Sequence, residues 1–501
     1  MADVIKESGP VASEPKLAKV LSLKNCLALS AAVMAPVLAV ILNAPAGGSD
    51  AGAALPLAFL LAFIAALFVG NTVIEFAKKL SSAGSFYTFC SRALGSAAGF
   101  FTGWLYAGAF VLFAIGLFTA NGAFLQSYIQ TTFHTNVSWI PLGLVLIAVV
   151  LILSILSIRL SVRVDLALLA LEIAIFSLLA IIAIIRAGHG NSLTYFNPGS
   201  SIRGYSGLGL GVVFGILSFI GFEAAAVLGE ETGKPRRNVP IAVRGSLIAV
   251  GVFYVFVLYA LAAGFHMNSA GGIKAFLASP AQFGDLAQHY ASWLKQPVLL
   301  AAVAGLFSCM LAVVNTTVRV VYAMARERVL PPRLSRVHAN FRSPYIAIYA
   351  VVVAAIGIGL GLSAWLGSGL TSVYGWTGSI GTIAVILVYG MANVGLIRFF
   401  WRQPDRNVIR HIVLPSLGIL VLLYPLYETA KPGQPWPYNM VLYLVLAWIA
   451  VGLAVYLYLR RTSPEKLAAL GATMATDEID FAEARDAALS SGPGAEEASG
   501  D

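Results

Sequence analysis

The chain has 501 residues, of which 59% are apolar and only 11% charged, with a formal net charge of +9. A soluble domain carries about 25% charged residues, so a water-soluble globule is excluded. The basic residues punctuate apolar runs instead of forming one patch, which sets nucleic acid aside as a partner and points to a topology in a lipid bilayer.

In chain order, residues 1–20 are polar and read as a cytoplasmic N-terminal tail. The first apolar run, Cys26 to Ala46, is long enough to span and reads as a retained helix, not a cleaved leader. Twelve spans are expected, near 26–46, 53–76, 98–128, 138–158, 164–186, 207–229, 241–266, 296–325, 344–366, 369–400, 408–428 and 438–460. Ala93–Ile158 and Ser343–Ile397 contain no Asp, Glu, Lys or Arg, and each is long enough for two spans. With the N-terminus inside, the outer segments hold only Arg186, Arg203, Lys274, Lys295 and Lys431, while Arg319 lies within the eighth span. The other basic residues fall on the cytoplasmic side, as the positive-inside rule requires, so both termini are expected in the cytoplasm. Residues 461–501 are rich in Ala, Gly, Ser and acid, and read as a disordered cytoplasmic tail beyond a short helix at Pro464–Leu470. The expected domains are thus the tails 1–20 and 461–501 around a membrane domain, 21–460.

Polar solutes can be held at the centre of a bilayer where interrupted helices expose backbone groups to a cavity. Two spans carry such breaks. The first contains Ala32–Val33–Met34–Ala35–Pro36, and the sixth contains Leu217–Ser218–Phe219–Ile220–Gly221. Five helices separate them, which suits two inverted repeats of five, near 26–186 and 207–400, followed by two extra helices at 408–460. Two acids lie within spans: Glu172 in the fifth and Glu223 just past Gly221. Buried acids in membranes serve binding or proton handling, or stay protonated on a neighbouring carbonyl. Glu75, beside Lys78 and Lys79, reads as a structural ion pair or cap, and Glu230–Glu231 and Arg326 as loop charges able to pair across the cytoplasmic face. Gly207, Gly211 and Gly215 share one helix face and signal close helix packing, not a nucleotide loop. Cys26, Cys90 and Cys309 read as small buried hydrophobes. No metal or cofactor motif, and no nucleophile with its base, stands out.

Three stretches carry a family resemblance: Glu75 through Tyr87 with Gly103–Trp104; Ser218 through Glu223 with Gly229–Glu230–Glu231–Thr232 and Pro235–Pro240; and Arg319 through Arg326 with Leu330–Pro331. On these the chain resembles the amino acid–polyamine–organocation transporter superfamily over roughly residues 20–460. The resemblance implies an all-α, leucine-transporter-type fold of five-plus-five inverted repeats with two C-terminal helices. It implies movement of amino acids or related amines across the cell membrane by alternating access, coupled to protons or sodium, or uncoupled exchange. A membrane-embedded enzyme, a channel or a sensor is the alternative of another class. Relatives have a glycine-rich first break, which this chain lacks. Some carry an aromatic gate where Leu217 stands, so here that gate is expected to be missing or supplied by another residue, Tyr106 or Trp376. Some carry a lysine near Glu172, for which Asn315, Thr316 and Thr317 are candidate partners.

Overall fold

The computed structural model describes residues 21–80, 84–279, 281–367, 370–431, 433–434 and 436–463. The expected tail 1–20 and residues 464–501 of the expected tail 461–501, including the helix at Pro464–Leu470, lie outside the described residues. Those described are helical, with no strand beyond an isolated bridge between Leu21 and Thr232. The principal helices are α1 (Leu23–Met34), α2 (Leu55–Lys79), α3 (Ser96–Phe133), α4 (Trp139–Leu156), α5 (Ile158–Arg186), α6 (Gly204–Phe219), α7 (Pro235–Gly264), α8 (Lys295–Arg326), α9 (Tyr345–Leu366), α10 (Gly375–Phe400), α11 (Leu414–Ala430) and α12 (Val441–Thr462).

Among the described residues, eleven stretches are long and apolar enough to cross a membrane, and one of them, Leu23–Lys79, is 57 residues long. At 1.5 Å per residue a helix of that length would reach about 85 Å, against a hydrocarbon core of about 30 Å. It folds as two crossings. The chain turns at Gly52, whose φ of +55° favours glycine and where a β-carbon would strike the Ile202 side chain.

Burial sorts the helices into two rings. Apolar 18-residue stretches of the α6, α8 and α10 spans are 72% buried, whereas those of the α4, α11 and α12 spans are 28%, 28% and 17% buried. The outer helices present Val145, Ile152, Leu420, Tyr443 and Tyr458 outward, as lipid contact allows. The inner helices meet through small residues. Gly211 faces Ala51 and Ala58, and Gly215 faces Ala62, so any β-carbon there would collide with α2 or the segment before it. The three cysteines are buried and free.

Both breaks are present. α1 ends at Met34, Ala35 adopts a left-handed conformation at φ 48°, and Pro36 opens a second half. Pro36 has no N–H to donate backward, and the first amide to close across the break is that of Ala39, on the Ala35 carbonyl at 2.9 Å. α6 ends at Phe219. Gly221 follows at φ 106°, and Phe222–Glu231 then winds as a 3₁₀ helix.

Candidate functional site

The two breaks face each other and are tied by side chains that occupy backbone groups released from the helices. Tyr254 of α7 places its hydroxyl 2.9 Å from both the Met34 and Ser218 carbonyls. A hydroxyl has one proton, so only one carbonyl is fully satisfied at a time. Ser30 of α1 donates to the Phe222 carbonyl at 2.8 Å and accepts from the Ala225 amide at 2.9 Å. Glu223 is fully enclosed and takes three donors: Tyr106 at 2.9 Å, Tyr389 at 2.8 Å and the Gly221 amide at 3.1 Å. Its carboxyl thereby fastens the α6 break to α3 and α10.

A cavity of about 590 Å³ opens from the breaks toward Asp50, Lys431 and Gln434. Of the residues expected at the site, Val33, Met34, Ala35, Leu217, Ser218 and Ile220 line it. Ala32, Pro36, Phe219 and Gly221 are buried behind this wall. Tyr106 points away into its bond with Glu223, and Trp376 donates to the Pro437 carbonyl at 3.1 Å, so neither supplies an aromatic wall. Phe110, Phe113, Phe214 and Tyr374 do. The charged lining side chains, Asp50, Glu428 and Lys431, sit at the mouth, where Asp50 pairs with Arg203 outside the lining at 2.8 Å and Lys431 with Glu428 at 2.5 Å.

The opposite end is sealed. Arg319 of α8 is 4% exposed; its Nε lies 2.6 Å from Glu231, and its Nη1 donates to the Asn315 carbonyl at 2.7 Å. Arg326 pairs with Glu230 at 2.7 Å, Tyr87 donates to Glu327, and the Leu21 amide donates to the Glu231 carbonyl at 3.0 Å. Glu75 pairs with Lys78 at 2.6 Å and faces His411 at 3.4 Å, a structural cluster joining α2 to the segment before α11.

Glu172 lies on α5, 2% exposed, directed at α8, and its Oε2 has no hydrogen-bond partner among the described residues. Asn315, Thr316 and Thr317 do not reach it; each bonds a carbonyl of its own helix, four residues back. The neighbour is instead Gly305, where an added β-carbon would land on Glu172 Oε2. Asp165, two turns earlier on α5, was not singled out by sequence reasoning. It is fully buried and accepts from Ser308 at 3.2 Å.

A helical bundle of this kind, with a solvent-sized cavity between two facing broken helices, defines a multi-pass membrane transporter. The chain belongs to the amino acid permease family, whose model matches residues 21–460. It is similar to a branched-chain amino acid permease of Bacillus subtilis, 25% identical with 83% of this chain and 88% of the relative covered. It is 24% identical to the branched-chain amino acid permease of Lactococcus lactis, over 87% and 94% of the two chains. A methylthioribose transporter of Bacillus subtilis is 23% identical, over 84% and 89%. These relatives are permeases and transporters, not enzymes, and the family makes amino acid transport the activity of this fold.

Proposed function

We propose that the protein is a secondary active transporter that takes up neutral amino acids with apolar side chains by alternating access, driven by protons through Glu172. The observation that carries this reading is the cavity between the breaks: charge pairs confined to its mouth, and an apolar wall at the depth of the breaks. The second half of α1 starts at Pro36, so its first-turn amides, Val37 and Leu38, and its positive dipole end suit a carboxylate. The carbonyls of Phe219 and Ile220, at the C-terminal end of α6, suit an ammonium. The side chain then meets Leu38, Phe110, Phe113, Leu217, Ile220 and Val313, which offer contact to methylenes and nothing to a charge. The names of two relatives agree with this class.

The paired charges at the closed end and the open mouth at the other support a state open on one side only. The bias of basic residues supports placing the closed end in the cytoplasm of a cell whose plasma membrane holds the protein, with the mouth outside. Glu172 favours coupling over plain exchange, because an anion left in the interior without a partner costs several kcal/mol, and a proton removes that cost. Such a carboxyl can bind a proton in one state and release it in another, which is all that coupling requires.

Purified protein should be stabilised in thermal unfolding by leucine, isoleucine or phenylalanine, and not by lysine, glutamate or putrescine. A ligand at 100 times its dissociation constant adds about 2.7 kcal/mol to the folded state. Stabilisation by the charged compounds alone would overturn the side-chain assignment, and no response to any amino acid would overturn the site.

A further inference from the structure

The structure contains a second buried acid that the reading above leaves without a role. Asp165 and Glu172 stand seven residues apart on α5, so they share a face about 10 Å apart along the axis. Both side chains turn toward α8 and both are at least nine-tenths buried. Each keeps one oxygen, Asp165 Oδ2 and Glu172 Oε2, without a hydrogen-bond partner among the described residues. Asp165 faces Ser308, and Glu172 faces Gly305, one turn earlier on α8. Passing from Glu172 to Asp165 therefore runs along α8 in the direction of Arg319, toward the sealed end. Cys309, the residue after Ser308 on α8, lines the cavity.

We propose that Asp165, Ser308 and Glu172 form a proton path along the α5–α8 interface, with Asp165 as the release station on the closed side. This rests on the proton-coupled reading of Glu172. The surrounding titratable groups are few. α4 carries none, α1 brings exposed Lys24 and Cys26, the latter in contact with Thr232, and α7 contributes Tyr254. Arg159 and Arg163 are exposed at the start of α5, beyond Asp165.

The transfer balances without any other reagent than water. Protonated Glu172, whose Oε2 lies against Gly305, gives its proton to a water that enters between it and Ser308. That water gives a proton to the Ser308 hydroxyl, and Ser308 passes the proton it already directs at Asp165 to that carboxylate. Glu172 ends as the carboxylate and Asp165 as the acid, with no change in total charge. Release from Asp165 follows when the Arg319 end opens. A single metal cation does not fit the same pair. Carboxyls two turns apart cannot converge on one ion at the 2.3–2.6 Å typical of hard cations.

The test uses full-length protein in liposomes, with leucine accumulation under an inward pH gradient read beside leucine counterflow without a gradient. Asp165→Asn should lose accumulation relative to counterflow, as Glu172→Gln should, and Asp165→Glu should recover part of it. Ser308→Ala should slow accumulation, and Gly305→Ala, whose β-carbon would land on Glu172 Oε2 and displace the carboxyl, should do so more strongly. A pH-sensitive dye should show leucine-linked proton entry in the wild type and its loss in Asp165→Asn. Normal accumulation in Asp165→Asn beside failure in Glu172→Gln would overturn the path and leave the Glu172 reading standing. Normal accumulation in both, or accumulation that follows sodium at constant pH, would overturn the two together. If Asp165→Asn does not fold, an unaltered accumulation ratio in both Ser308→Ala and Gly305→Ala overturns the path.

Discussion

Replacing Gly221 with valine is expected to abolish substrate binding while the protein still reaches the membrane. The residue sits at φ 106° and ψ −5°, a left-handed conformation that a β-branched side chain strongly resists. Backbone strain of this kind costs about 1–3 kcal/mol. There is a second effect. A β-carbon at this position would run into the Val33 side chain, which lines the cavity in the first half of the other broken helix. Relief requires α1 and the α6 break to move apart, and that displaces the groups assigned to the substrate carboxylate and ammonium together. Loss of about 3 kcal/mol corresponds to a fall in affinity of more than 100-fold. The flanking helices are unaltered, so insertion should survive. Binding of labelled leucine to purified Gly221→Val, with Gly221→Ala as an intermediate, measures this. Wild-type affinity in the valine variant would remove the site from the α6 break.

Arg319→Ala should have the largest effect on the conformational balance. Arg319 and Glu231 are 4% and 2% exposed and joined through two nitrogen–oxygen contacts, at 2.6 and 3.4 Å. Removing one member of a buried pair leaves the other charge uncompensated, at a cost of about 3–5 kcal/mol. The cost falls on the state in which this end is shut, because water reaches Glu231 once it opens. The variant should therefore lose thermal stability and shift toward a form open at the Arg319 end. Cys26, fully buried and 3.2 Å from Thr232 at this same end, is a native reporter. In a background without Cys90 and Cys309, a thiol reagent should modify Cys26 faster in Arg319→Ala than in the parent. Adding Glu231→Gln should return the midpoint and the labelling rate toward the parent. Unchanged stability and labelling would show that the pair does not hold this end closed.

Much of the architecture was legible because a membrane leaves the chain few options. Uniformly apolar runs separated by basic loops have one economical reading, and the interruptions at Pro36 and Gly221 mark residues that no straight helix prefers. What the sequence did not disclose is long-range. Tyr254 is distant in sequence from Met34, yet its hydroxyl meets both breaks. Tyr106 has the chemistry of a cavity residue, but which way its ring turns depended on Glu223, supplied by another helix. Asp165 falls at the edge of the expected span 164–186, where an acid reads as an interfacial residue. The helix in fact begins at Ile158, two turns earlier, which carries Asp165 inside while Arg159 and Arg163 remain exposed. Helical periodicity could not resolve this, since a chain apolar on every side gives no contrast between lipid-facing and protein-facing residues. The 3₁₀ winding of Phe222–Glu231 had no signal either; it follows from Glu223 and Ser30 capturing the groups that an α-helix would have used.

The central claim is concentrative transport of a neutral, apolar amino acid, and its most direct test is uptake into proteoliposomes loaded with buffer more alkaline than the medium, in the absence of sodium. Labelled leucine should accumulate above its external concentration, and a protonophore should release the excess. Leucine that only equilibrates, with or without the gradient, would contradict proton-driven transport, and an absence of protein-dependent leucine flux would contradict the account of the cavity as its site.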